Sequence, residues 1–154
     1  MQKHLINLNS ADFCRITEEI LNNGQMLRFR ATGRSMAPTI LNGDSVTIAP
    51  TDNSLIKPGA IVLHRSPHTQ HPLLHRIIKI SHKNSRTTIY TRGDTFCGYA
   101  EKIEAADIMG IAIAATHNGK TRNLLSKHQL FWGRIHTTRQ NLRYRLKKTA
   151  KPRL

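Results

Sequence analysis

The feature that most constrains this chain is a succession of short apolar runs between residues 26 and 116, rich in β-branched residues and bounded by Gly, Pro, Asn or Asp. MLRFRAT, DSVTIAP, GAIVLHR, LLHRIIKI, TTIYTRG and IMGIAIAAT follow one another with no helical period between them. Runs of this length carry the two-residue period of strands, and the residues between them are turn formers. Such a chain is expected to be mainly β, with six or seven short strands. Asn118-Gly119, between IAIAAT and KTRNLL, marks a two-residue hairpin.

The two ends break the pattern. After Ser10, residues Phe13, Ile16, Ile20 and Leu21 share one helical face, Glu18 and Glu19 lie opposite, and Gly24 is placed to stop the helix. Near the other end, Ser126 and Gln129 have capping-box spacing. Leu130, Phe131, Ile135, Thr138, Leu142 and Leu146 then fall on one face, with Arg134, Arg139, Arg143, Arg145, Lys147 and Lys148 around the rest. A chain of 154 residues supports one core with appendages. The expected organisation is an N-terminal amphipathic helix packed on the body (1–27), a β domain (28–125) and a basic amphipathic C-terminal tail (126–154).

The net charge of +15 is uneven: all nine acidic residues precede position 108, whereas eleven of the 24 basic residues follow it. That asymmetry points to a polyanionic partner for the tail, nucleic acid or an anionic membrane. Because apolar residues line the face opposite its charges, an anionic membrane surface or a partner protein is expected ahead of nucleic acid. Cys14 and Cys97 form no CxxC pair, and neither a secretory signal nor a run of about 18 apolar residues is present. A cytoplasmic protein with peripheral membrane attachment is the expectation.

Residues 32 to 44 read TGRSMAPTILNGD and place Ser35 on a sharp connection after the first apolar run. A lone serine there is ordinarily turn chemistry. Taken in order, however, TGRSMAPTILNGDSVTI, IKPGAIVLHR, PLLHRIIKI, YTRGD and IMGIAIA resemble the successive boxes of the type I signal peptidase family, over roughly residues 28 to 114. The Gly33-x-Ser35-Met36 portion is also similar to the self-cleaving SOS-repressor autoproteases, which share that fold. The resemblance implies a signal-peptidase/SOS-repressor-like antiparallel β scaffold with Ser35 as nucleophile. PLLHRII resembles the box of the histidine-type enzymes, which implies His75 as general base where other members have lysine. The Gly-Asp box implies Asp94 as the third catalytic residue, with Glu101 in reserve because the further acids of the histidine type are missing after it.

The chemistry fits those residue types. A serine hydroxyl needs a base, and imidazole, with an ordinary pKa of about 6.5, takes the proton near neutrality and returns it to the leaving amine. The Ser35 backbone N–H supplies one oxyanion donor. Many signal peptidases place a serine two positions before the nucleophile, but Gly33 stands here, so the second donor is unassigned. Asp44 reads as a turn carboxylate holding the serine loop, and Met36 as a packing or subsite residue. His64, His68, His71 and His75 have an H-x3-H-x2-H-x3-H spacing, but Pro67 and Pro72 interrupt it, so no metal or other cofactor is expected. The first three of these histidines read as solvated loop or strand-edge residues.

The expected activity is therefore that of a serine endopeptidase resembling signal peptidase. It would cleave a precursor or leader peptide after small residues through a Ser35–His75–Asp94 acyl-enzyme mechanism. Two alternatives stay open: a self-cleaving SOS-repressor-like regulator, and an inactive basic nucleic-acid- or membrane-binding module on the same fold. Against self-cleavage, the chain contains no Ala-Gly dipeptide and its first 30 residues are too few for a DNA-binding domain.

Overall fold

The computed structural model describes residues 8–95 and 99–149, with side chains in the last helix described to residue 135 and at 138, 139 and 142. Cys97, one of the two cysteines, lies outside the described residues, as do the side chains of Arg143, Arg145, Leu146, Lys147 and Lys148. The chain runs α1 (Ser10–Asn22), β1 (Leu27–Arg30), β2 (Ser45–Ala49), β3 (Ile61–Arg65), β4 (Pro72–Lys83), β5 (Arg86–Arg92), β6 (Glu101–Ile103), β7 (Ile108–His117), β8 (Lys120–Asn123) and α2 (Lys127–Thr149). It is a mainly β molecule with one antiparallel, curled sheet and two helices.

The sheet order is β1-β2-β7-β3-β4-β5-β6, with β8 also paired to β7. β3 takes residues 108–111 of β7 and β8 takes residues 114–117, so the two short strands share one edge of the long one. Register shifts at Thr47/Ile48, Leu63/His64 and Ile77/Lys79 add local twist. The Asn118-Gly119 hairpin forms as expected, with φ of 46° and 76°, the signs a type I′ turn requires. Asn84-Ser85 makes a second such turn between β4 and β5, at 50° and 60°. β6 had no sequence signal: three residues beginning with two charged ones are too short to show alternation.

Both faces of the central strands are covered, which is why β3 is buried at four successive positions instead of at alternate ones. One core joins Val46, Ile48, Ile61 and Leu63 to Met36 and Ile40 of the serine loop and to Cys14 and Leu21 of α1. The other joins Val62, Ile77, Ile89, Ile103 and Ile111, with Leu125 and Leu130 packed against it. α1 forms where expected but starts one residue early: Ser10 is its first residue, not its cap, and the cap is Asn9, whose Oδ1 accepts from the Asp12 N–H at 2.9 Å. Ser126 caps α2, its Oγ accepting from the Gln129 N–H at 3.3 Å. Gly110 admits α1 to the sheet: a Cβ there would stand 2.5 Å from Ile48 Cγ2 and 2.8 Å from Leu21 Cδ1. Gly133 does the same for α2, where an added Cβ would meet the Arg76 guanidinium at 2.3 Å. The opening turns of the basic helix thus sit on the body. Among the described residues, no helix is long and apolar enough to cross a membrane.

Candidate active site

Ser35 sits in a tight loop, Thr32 to Leu41, that links the end of β1 toward β2. Local sequence shapes it. Gly33 has φ +89°, a region side chains rarely enter, so glycine at this position serves the backbone, and its N–H donates to Asn42 Oδ1 at 3.0 Å. The Ala37 N–H reaches Arg34 O and the Ile40 N–H reaches Met36 O, closing successive turns around Ser35. Met36 is buried in the core and also lines the cleft beside the serine.

Three carboxylates bear on this loop or on His75. Asp44, fully buried, accepts from the Leu41 N–H at 2.9 Å, so it does hold the loop as turn chemistry requires. Its other oxygen meets His117 Nδ1 at 2.5 Å, a contact from the far strand β7. Burial pushes its carboxyl up, but the Leu41 N–H, His117 and Arg122 together outweigh that and hold it below the ordinary carboxylate range.

Asp94 is bound to Arg76. Arg76 Nε and Nη2 donate to its two oxygens at 2.8 and 2.7 Å, and both side chains are only 4% exposed. Thr39 Oγ1 donates to the same carboxylate at 2.5 Å, while Arg76 Nη1 donates to Gly59 O at 2.7 Å. Next to Asp94, the Thr95 N–H donates to Ser35 O at 2.9 Å and Thr95 Oγ1 to Arg34 O at 2.6 Å. The Gly-Asp turn is therefore a clamp on the serine loop. Asp94 acts on His75 through space.

His75 lies on β4, directly opposite Val62 of β3. Its ring stands 5.7 Å from the His64 ring, centroid to centroid, and its buried Nδ1 has no hydrogen-bond partner among the described residues. Glu101 completes the group: one ligand atom of each of His64, His75 and Glu101 lies within 4.8 Å of the others. Burial, reinforced by His64, pushes the His75 pKa down to about 4 against the opposing pull of Glu101 and Asp94. Burial lowers His64 as well. Both rings are neutral at pH 7.

The expectation that His64 is solvated is overturned. It is fully buried on an interior strand, because the hairpin register sets His64 opposite Leu73, two residues from His75 on the same face. His71 instead turns to α1, where its Nδ1 contacts Ser10 Oγ at 2.9 Å, and His68 is exposed. The register of the β3–β4 hairpin was the signal that could have paired His64 with His75. Nothing in the sequence marked the strand that brings Glu101.

A cleft of about 800 Å³ runs along β1, with Ser35, Met36, Leu63 and Leu74 on its floor and Phe13 and Thr17 of α1 beside them. Among the described residues β1 pairs only with β2, so its other edge is unpaired. No hydrogen bond joins Ser35 to His75 among the described residues. Neither protein-family models nor the curated proteins match this chain.

Proposed function

We propose that this chain is a serine endopeptidase resembling signal peptidase, on a signal-peptidase/SOS-repressor-like scaffold, with Ser35 as nucleophile and His75 as general base. The observation that carries the reading is the place of Ser35: it is half-buried at the end of an unpaired strand edge, in an apolar cleft, on a loop clamped by Asp94, Arg76 and Thr95. A peptide in extended form would add to the free edge of β1 and present its carbonyl to Ser35. Resemblance to the family makes small residues before the cut the expected preference.

Ser35 Oγ would bond to the carbonyl carbon as His75 takes its proton. His75 then gives that proton to the amine as the C–N bond breaks, and water releases the acyl group by the same route. A neutral ring is the form that accepts a proton, and burial keeps His75 neutral. Glu101, within 4.8 Å of the ring's ligand atom, is the carboxylate that stabilises the imidazolium, leaving Asp94 as the clamp. His75 follows the cleft residue Leu74 on β4 and alternates away from it, so this step requires the serine loop to move toward His75. The substrate is a precursor or leader peptide. The basic last helix, whose Phe131, Trp132 and Leu142 are exposed, docks the enzyme on an anionic membrane surface or a partner protein.

One observation favours the inactive-module alternative: the missing Ser35–His75 hydrogen bond. A peptide-library digestion separates the two. The enzyme reading expects cleavage by wild type that falls at least about 1,000-fold in both Ser35→Ala and His75→Ala. Equal cleavage by wild type and Ser35→Ala, or none by a folded wild type, rejects it.

A further inference from the structure

His64, His75 and Glu101 come from three strands, β3, β4 and β6, and the peptidase reading gives His64 no task. One ligand atom of each lies within 4.8 Å of the others. A backbone carbonyl only accepts, so the contact of His64 Nδ1 with Arg65 O at 3.3 Å places the proton on Nδ1 and the lone pair on Nε2. That Nε2 accepts from Thr91 Oγ1 at 3.3 Å, a hydroxyl a bound ion would displace, and stands 3.8 Å from Glu101 Oε2. Ser66 Oγ donates to Glu101 Oε1 at 2.5 Å, which orients the carboxylate and leaves Oε2 for another partner. His75 adds a ring whose buried Nδ1 has no partner among the described residues. Two acceptors face each other beside an unsatisfied ring nitrogen, and a cation completes such a group.

We propose that His64, His75 and Glu101 form a binding site for a divalent transition metal ion, Zn²⁺ foremost. Two imidazoles and a carboxylate are the donor set of three-ligand zinc sites that keep water in the fourth position. Calcium and magnesium prefer all-oxygen cages. Zinc at about 2.0–2.1 Å from each donor sets tetrahedral ligand atoms roughly 3.3 Å apart. The three atoms here, all within 4.8 Å, reach that spacing by side-chain adjustment. The outer contacts are also those of a metal centre: a carbonyl on the far nitrogen of His64 and a hydroxyl on the second oxygen of Glu101. His64 is wholly buried whereas Glu101 is 15% exposed, so the ion would arrive from the Glu101 side. The site shares His75 with the peptidase reading but does not depend on it, and the test reads binding instead of cleavage.

Full-length protein is treated with chelator, desalted and titrated with Zn²⁺ and Co²⁺. One equivalent of Zn²⁺ is expected to bind with micromolar affinity or better, and Co²⁺ to give the visible bands of a four- or five-coordinate centre that Zn²⁺ displaces. Glu101→Gln, which keeps the side-chain shape, and His75→Gln should each weaken Zn²⁺ binding at least about 100-fold, beyond the 10–100-fold typical of outer contacts. The double variant His68→Ala/His71→Ala should bind as wild type does. The proposal is overturned by a folded wild type that takes up no Zn²⁺ below millimolar concentration, by unchanged affinity in Glu101→Gln and His75→Gln, or by loss of binding in the double variant.

Discussion

Replacing Asp94 by Asn removes the negative charge from a pair in which both partners are 4% exposed. The two oxygens of Asp94 accept from Arg76 Nε and Nη2 at 2.8 and 2.7 Å, and the amide of Asn can accept at only one of them. The guanidinium then keeps its charge in the interior, where it still donates to Gly59 O and Thr39 Oγ1. Breaking a buried pair from one side costs about 3–5 kcal/mol. In a chain of this size each kcal/mol lowers Tm by about 2–4 °C, so Asp94→Asn should melt roughly 6–20 °C below wild type. Adding Arg76→Met removes the stranded charge and should recover part of the loss. Thermal melts and urea titrations at pH 7 of the wild type, both single variants and the double variant measure the coupling directly. An Asp94→Asn protein that melts within about 2 °C of wild type would refute the clamp. If that protein also lost peptide cleavage with a displaced pH profile, Asp94 would return as the triad acid.

Three further outcomes follow from other parts of the molecule. An unfolded histidine titrates near 6.5, while folded His75 is held at about 4 and His64 is also lowered, so below about 6.5 the unfolded chain binds protons that the folded one does not. Stability should be level above that pH and fall steadily toward 4, with His75→Gln flattening part of the slope; equal urea midpoints at pH 4.5 and 7 would exclude buried neutral rings. Gly110→Ala should cost about 1–3 kcal/mol in denaturant titration, since its methyl would stand within 2.8 Å of Ile48, Ala49 and Leu21; a stability equal to wild type would mean that α1 does not pack that closely. Because α2 is seated on Arg76 through Gly133, the docking role proposed for it is best tested by charge and not by deletion. Changing Arg143, Arg145, Lys147 and Lys148 to Gln should leave the fold intact and lower sedimentation with anionic vesicles at low salt, and unchanged sedimentation would dismiss a membrane role for these charges.

Local chemistry alone determined a good deal. The six apolar runs became strands, Asn118-Gly119 became a type I′ turn, and the amphipathic spacings from Ser10 and from Ser126 became helices, because period and turn propensity act over neighbours in the chain. The place of Ser35 on a tight loop and the loop-holding role of Asp44 were legible for the same reason. What the sequence could not express was which side chains meet. Arg76 and Asp94 are 18 positions apart, His64 and Glu101 37, and only strand register and the curl of the sheet bring each pair together in the interior. The tertiary structure therefore decided that Asp94 answers an arginine and that His75 has a second histidine and Glu101 for neighbours. A buried charge must find its partner wherever the fold places one, and no local pattern encodes that choice.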